Sequence, residues 1–583
     1  MKYRLIILLS LTIGLLTPAS LQAQNEPPDF AAIREERLLI KKHSQQRGSI
    51  NTNAFNANGI IHQAFDVRQY RLKIRLDPTA LAFSGTVMIT GAATALLNAL
   101  NIDAQTNLVI EAVRLNGQPR NFERKTEQVR LNFLPALLSG DEISLEIDYR
   151  GTPVVMNRLG GGMFTARHGS DNAVVMATLT EPYGSPTWFP CIDDATDKAT
   201  VEMEATVPRG FTAASNGILD KTVENNDQTT TFFWREPSPL STYLISIAAT
   251  NYARFDDTYT AMDGTRMPIL FYVYPEHLPQ AQVKFVATRQ ALELYAPLFG
   301  EYPFVREKYG MAEMPASGAM EHQTITSISQ ALVGSQTNMG RFTIAHEIAH
   351  HWWGDLVTMR KWNDLWLNEG FATYAEALHY EKFYQRPAND YMTSIDDGQI
   401  FGTMGGTVYA EDATDPFDDY DAVYDKGGWT LHMLRHIMTD ERFFAALRDY
   451  AAQYAFSNTE TTDFQRVCEA HYGRELDWFF QQWIYAPGRP FYKVSNEIGN
   501  RTTQGNYTIS LSIKQKQSHA IPGRESSVYI MPLDVMIYYA DGSKETRSIF
   551  NDKRKQNFTL TTTKQPTRVV IDEDNWVLKK MKG

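Results

Sequence analysis

This chain of 583 residues contains only two cysteines, Cys191 and Cys468. A disulfide scaffold needs more, and the two fall in separate parts of the sequence, so both are expected as buried free thiols. Basic charge is also short. There are 56 Lys and Arg against 67 Asp and Glu, a net charge of −11. That balance argues against nucleic acid or an anionic membrane surface as the main partner. No apolar run, the one near the N-terminus included, is long enough to span a bilayer. Internal repeats and low-complexity tracts are absent too. What remains has the composition of a globular protein with large cores, too long for one domain.

The single apolar run, Leu5–Leu16, follows Lys2 and Arg4 and precedes the small residue Ala23. This pattern is that of a signal peptide over residues 1–23, and it predicts an exported, soluble protein, periplasmic or secreted. No cysteine follows the cleavage region, which argues against a bacterial lipid anchor. Residues 24–58 are a polar lead-in, with a short helix expected within 30–43. From residue 59 the sequence alternates, as in Tyr70–Leu76 and Ile143–Ile147. An N-terminal β domain is expected over 59–277. From Pro279 the period becomes helical, with Val283, Val286, Ala287, Ala291, Leu294 and Tyr295 close to one face. A mostly helical domain over 278–490 ends at Pro487-Gly488-Arg489-Pro490. Alternation returns in 491–583, with the hairpin signal Ala540-Asp541-Gly542-Ser543, and predicts a small β-sandwich. The fold class is therefore multidomain α+β.

The chemistry is concentrated in residues 346–369. His346-Glu347-Ile348-Ala349-His350 is followed, after 18 intervening residues, by Glu369. On a helix, His346 and His350 lie one turn apart on one face and can share a metal ion. Glu347 then reaches a water bound to the same ion, and Glu369 supplies a third ligand from a later helical stretch. Three protein ligands and one open position make a catalytic zinc site, one Zn2+ per chain, rather than a structural one. His351 lies about 100° round the helix from His350 and is expected at the surface or behind the ligands. Glu376, two turns beyond Glu369, either orients a zinc histidine or is an ordinary helix-face acid. Asp355 is expected to serve the turn after the helix.

Four segments carry a family resemblance. Trp188-Phe189-Pro190-Cys191-Ile192-Asp193-Asp194 is similar to an FPCxDEP signature. Gly318-Ala319-Met320-Glu321-His322 resembles GAMEN, and Tyr424-Asp425-Lys426-Gly427 resembles YEKG. Together with the zinc motif, in this order, they resemble the aminopeptidase N family of gluzincin metallopeptidases, over nearly the whole mature chain. The resemblance implies a saddle-shaped β domain, a thermolysin-like catalytic domain and a C-terminal β-sandwich, in a short form without the large helical C-terminal domain of many members. It implies peptide substrates with a free N-terminus. It also implies that Tyr424 stabilises the oxyanion and that Glu321 binds the substrate's amino group.

Other positions follow from the same resemblance. Glu181 in Thr178-Leu179-Thr180-Glu181-Pro182 stands where the family often has Gln or an acid contacting the substrate amine. Gly318 and Ala319 let substrate backbone approach closely. One departure stands out. The family's Asn is His322 here, bulkier and able to protonate. Two other readings compete, a thermolysin-like endopeptidase and a catalytically silent binding protein on a peptidase scaffold. Glu321 and Glu181 argue against the first, the intact metal motif against the second. Epoxide hydrolysis, found in one branch of the family, is less expected in the short form.

Overall fold

A computed structural model describes residues 64–582 apart from 155–160, 317, 336–339, 397–405, 414, 418, 519 and 522–526. The expected signal peptide and lead-in therefore lie outside the described residues. The N-terminal region is built on an eight-stranded sheet. Its long strand Phe65–Asp77 alternates as expected, burying Tyr70, Leu72, Ile74 and Leu76. The outward residues between them are charged. Arg71 and Lys73 stand opposite Glu202 and Glu204 on the parallel neighbour Ala199–Pro208 and pair with them at 3.1 and 3.5 Å. The apolar face is thus fixed inward, because a one-residue slip would bury these ion pairs.

A second, four-stranded sheet runs in the order Thr212–Ser215, Ile247–Thr250, Ala173–Leu179, Gly162–His168. Its strands are buried on most residues. Cys191 and Cys468 are both buried free thiols, as expected.

The sheets do not divide at 277. Strands Ala253–Thr260 and Arg266–Val273 belong to a five-stranded sheet completed by Tyr309–Met314, Thr326–Ser329 and Ala319–Met320. The sheet division thus falls before Ala253. Period-two alternation identifies a strand but carries no information about which sheet it joins.

Helices follow. The helix Arg341–His350 packs against the 19-residue helix Trp366–Tyr384. The latter is buried on all sides as far as Tyr380, a core helix rather than an amphipathic surface one. The C-terminal region is two facing sheets of four and three strands. The Asp541-Gly542 hairpin lies where the turn signal placed it, with Gly542 at φ +81° and its amide donating to Tyr539. Among the described residues no helix is long and apolar enough to cross a membrane.

Candidate active site

Helix Arg341–His350 buries Phe342, Ile344, Ala345, Ile348 and Ala349, which locks the rotation that points His346 and His350 the same way. Glu369 enters from the first turn of Trp366–Tyr384. One Glu369 carboxylate oxygen lies 3.2 Å from His346 Nε2 and 3.3 Å from His350 Nε2. Donors around one tetrahedral zinc stand about 3.3–3.5 Å from one another, given bonds of 2.0–2.2 Å. The donor set and its spacing therefore fit a single Zn2+. Burial alone would push the His350 imidazole down, but the Glu321 and Glu369 carboxylates outweigh it and hold it well up. That is the field of a site built for a cation.

Both histidines are oriented from behind. His346 Nδ1 meets Glu376 Oε1 at 2.8 Å, and the other Glu376 oxygen accepts from the Tyr391 hydroxyl. His350 Nδ1 meets the Trp353 carbonyl at 3.0 Å. Each contact assigns the proton to Nδ1 and leaves the Nε2 lone pair facing Glu369. Glu376 thus takes the first of its two alternatives. Tyr391, on helix Ala388–Ile395, carried no signal in the sequence.

Glu347 is buried beside this group. One oxygen each from Glu321 and Glu347 and one ring nitrogen of His350 lie within 4.8 Å of one another. Burial, the largest cause, raises the Glu347 carboxyl pKa, the direction that suits a proton acceptor working near neutral pH. Glu321 follows the short strand Ala319–Met320 and reaches within 4.0 Å of His350 Nδ1. Gly318 has φ +79° with open space where a side chain would point, and Ala319 is buried next to it. Glu181 is buried at the end of strand Ala173–Leu179.

Tyr424 sits in a six-residue π-helical segment, Asp421–Lys426, which runs into helix Gly427–Met438. Such wide turns recur at functional sites. Its ring stacks on His346, with centroids 6.0 Å apart and planes at 7°. A Cβ on Gly427 would stand 2.9 Å from the Gly370 Cα. The two backbones touch here, one residue from Glu369 and three from Tyr424. Glycine to alanine in an open helix stabilises by about 1 kcal/mol. Gly427→Ala is expected to do the reverse, costing about 1–3 kcal/mol by overpacking and lowering activity through displacement of Tyr424. Thermal denaturation and turnover of the variant check both signs.

His322 is wholly buried, with Nδ1 2.9 Å from Ser327 Oγ. Burial pushes its pKa down to about 3, so the ring is neutral where the sequence allowed a charge. The folded value lies below the unfolded one near 6.5. The associated stability is therefore present above pH 6.5 and lost as the pH falls toward 3, by about 2 kcal/mol at pH 5. His322→Asn is expected to shrink the difference in urea midpoint between pH 7 and pH 5, and to leave the shape of the activity profile from pH 6 to 8 unchanged.

The structure also places two neighbours of the ligands. His351 is fully buried, its Nδ1 2.9 Å from the Tyr302 hydroxyl, because this helix faces core on both sides. It stays clear of the ligand set. Asp355 lies in the turn, but its carboxylate accepts no hydrogen bond from the described residues and is buried 3.7 Å from His351 Nδ1. The turn is held instead by Lys198 from the β region, whose ammonium donates to the Asp355 and Leu356 carbonyls at 2.8 and 3.1 Å.

Residues 284–483 match the Peptidase family M1 domain and residues 67–244 the Peptidase M1 N-terminal domain. The chain belongs to peptidase family M1. This M1 chain is 28% identical over 446 residues to Aminopeptidase M1-B of Oryza sativa subsp. japonica, covering 72% of this chain and 50% of the relative. It is 27% identical over 430 residues to the Tricorn protease-interacting factor F2 of Thermoplasma acidophilum, covering 70% and 52%. It spans about half the length of the curated relatives it matches. In fold it is similar to an M1 zinc metallopeptidase from Deinococcus radiodurans (TM-score 0.64, 24% identity, 73% of this chain and 94% of that one). It is similar as well to Legionella pneumophila aminopeptidase A (TM-score 0.73, 20% identity, 89% and 60%). The family and the donor set together indicate Zn2+ as the cofactor of this M1 protein.

Proposed function

We propose that this chain is a zinc-dependent aminopeptidase that hydrolyses the first peptide bond of peptides with a free N-terminus. The observation that carries the reading is the buried acid Glu321, 4.0 Å from one of the zinc histidines. A buried carboxylate beside the metal donors adds negative charge that would attract a further cation, and a peptide N-terminus is one. Glu181, buried at a strand end nearby, supports the same role.

His346, His350 and Glu369 would hold Zn2+, which would supply Lewis acidity and an activated water near neutral pH. Glu347 takes the proton from the attacking water and delivers it to the leaving amine. Tyr424, neutral and able to donate one hydrogen bond, stabilises the oxyanion. Glu321 and Glu181 hold the substrate ammonium and so set the distance from the N-terminus to the cut. Gly318 and Ala319 leave room for the substrate backbone, and His322, a neutral ring, replaces an amide beside Glu321. Among named structural neighbours, an M1 metallopeptidase mutant from Deinococcus radiodurans is described as bound to a Tyr-Ser-Ala substrate, which is in keeping with a peptide ligand here. The sequence-derived signal peptide adds that the work is done outside the cytoplasm.

A panel of aminoacyl fluorogenic substrates, with N-acetylated counterparts and with chelator, tests the proposal. Free-amine substrates are expected to turn over and to stop doing so when zinc is stripped. Cleavage of N-acetylated peptides would favour the endopeptidase. Full zinc loading without turnover would favour the silent binding protein.

A further inference from the structure

Three segments distant in sequence converge beside the zinc donors. The first carries Thr180 and Glu181, at the end of strand Ala173–Leu179. That strand pairs antiparallel with Ile247–Thr250, and Tyr243 stands just before this partner. The Tyr243 carbonyl accepts a hydrogen bond from Thr180 Oγ1 at 2.8 Å. The third segment carries Glu321 and His322. One side-chain amide, that of Asn216, donates to the Leu244 carbonyl at 2.9 Å and to the Gln323 carbonyl at 2.6 Å. Tyr243 is thus tied by its own carbonyl to the Glu181 segment and through its neighbour to the Glu321 segment.

The Tyr243 side chain is 1% exposed and packs edge-on against Trp362, with centroids 5.4 Å apart. Its hydroxyl has no hydrogen-bond partner among the described residues. Buried hydroxyls are nearly always partnered, and this one, unlike the other unpartnered tyrosine hydroxyls, stands among the acids of the zinc site, where a ligand can supply the partner. The charges that face it say which kind of partner. Burial first, and then the carboxylates of Glu321, Glu181, Asp355 and Glu369, raise the phenol pKa well above its ordinary value. The hydroxyl is therefore neutral at any physiological pH and lies amid acids that would attract a cation.

We propose that the Tyr243 hydroxyl is the third acceptor for the substrate's N-terminal ammonium, beside Glu321 and Glu181, and selects primary over secondary amines. The inference rests on the aminopeptidase reading above. A primary ammonium has three N–H groups. Two carboxylates satisfy two of them. A phenol oxygen accepts the third without adding another negative charge, while its own proton turns toward a neighbouring carboxylate. An N-methylated first residue has only two N–H groups, and its methyl takes the direction of the phenol.

The test compares alanyl and N-methylalanyl fluorogenic substrates on the zinc-loaded wild type and on Tyr243→Phe. A hydrogen bond to a charged group corresponds to a factor of about 10–100. The variant is expected to lose that much kcat/KM on the alanyl substrate, mainly through KM, and to be nearly unchanged on the N-methylated one. Equal losses on both, or no loss on either, would overturn the proposal. Should Tyr243→Phe fail to fold, the wild type alone decides. Alaninamide is expected to inhibit about tenfold or more tightly than N-methylalaninamide, and equal inhibition constants overturn the proposal. Wild-type protein that holds zinc but cleaves neither substrate overturns the aminopeptidase reading itself, and this inference with it.

Discussion

Glu347→Gln is expected to keep one zinc per chain and to lose turnover by a factor of about 10²–10⁴, the range of a general acid–base group. The side chain is not among the three donors, His346 Nε2, His350 Nε2 and the Glu369 oxygen, so metal content should not fall. The amide keeps the size and shape of the acid but cannot take a proton from water. Burial is the largest cause of the raised Glu347 pKa, so replacing the acid by a neutral amide removes the desolvation cost of a buried charge. The folded protein is therefore expected to be at least as stable as the wild type. Metal analysis, thermal denaturation and steady-state kinetics on one preparation check all three statements. Loss of zinc along with activity would contradict the assignment of Glu347 as acid–base rather than ligand. Activity within about threefold of wild type would contradict the general acid–base mechanism outright.

Tyr424→Phe is the second large effect. The ring stacking on His346 and on Tyr420, the latter with centroids 3.9 Å apart, is preserved by phenylalanine. Only the hydroxyl is lost. Removal of one oxyanion donor lowers kcat by about 10²–10³-fold, or about 3–4 kcal/mol of barrier. Since the bond is made in the transition state, KM is expected to change little. A rise in KM at constant kcat would place Tyr424 in ground-state binding instead.

Much of the metal site was legible in the sequence because it is local. His346, Glu347 and His350 lie on one helical turn, and their spacing alone fixes their direction. Glu369 was legible because the second helix is long and its first turn lies close in sequence. Tyr424, Glu321 and Glu181 were named only through resemblance, and their roles stand as proposals, since a single tyrosine or glutamate carries no periodic signal. Tyr243 and Tyr391 were missed for a different reason. Each acts across a tertiary contact, Tyr391 on Glu376 from the next helix and Tyr243 between the distant Glu181 and Glu321 segments. Tertiary adjacency of that kind leaves no trace in spacing. The same blindness explains the fold boundary. Ala253–Thr260 and Arg266–Val273 alternate like the strands before them, and only their hydrogen bonding shows that they serve the catalytic region. For His322, the residue type was plain but its state was not, because burial rather than identity keeps the ring uncharged.

The contact between Gly370 and Gly427 has a consequence for how such a site can change. No side chain intervenes there, so the gap between a metal-side carboxylate and the phenol opposite is set by two main chains in van der Waals contact. Rotamer shifts in the surrounding core have nothing to push against at that point. Under the proposed function, substitutions elsewhere in the substrate pocket would leave this backbone spacing, and with it the distance between Glu369 and Tyr424, as it is.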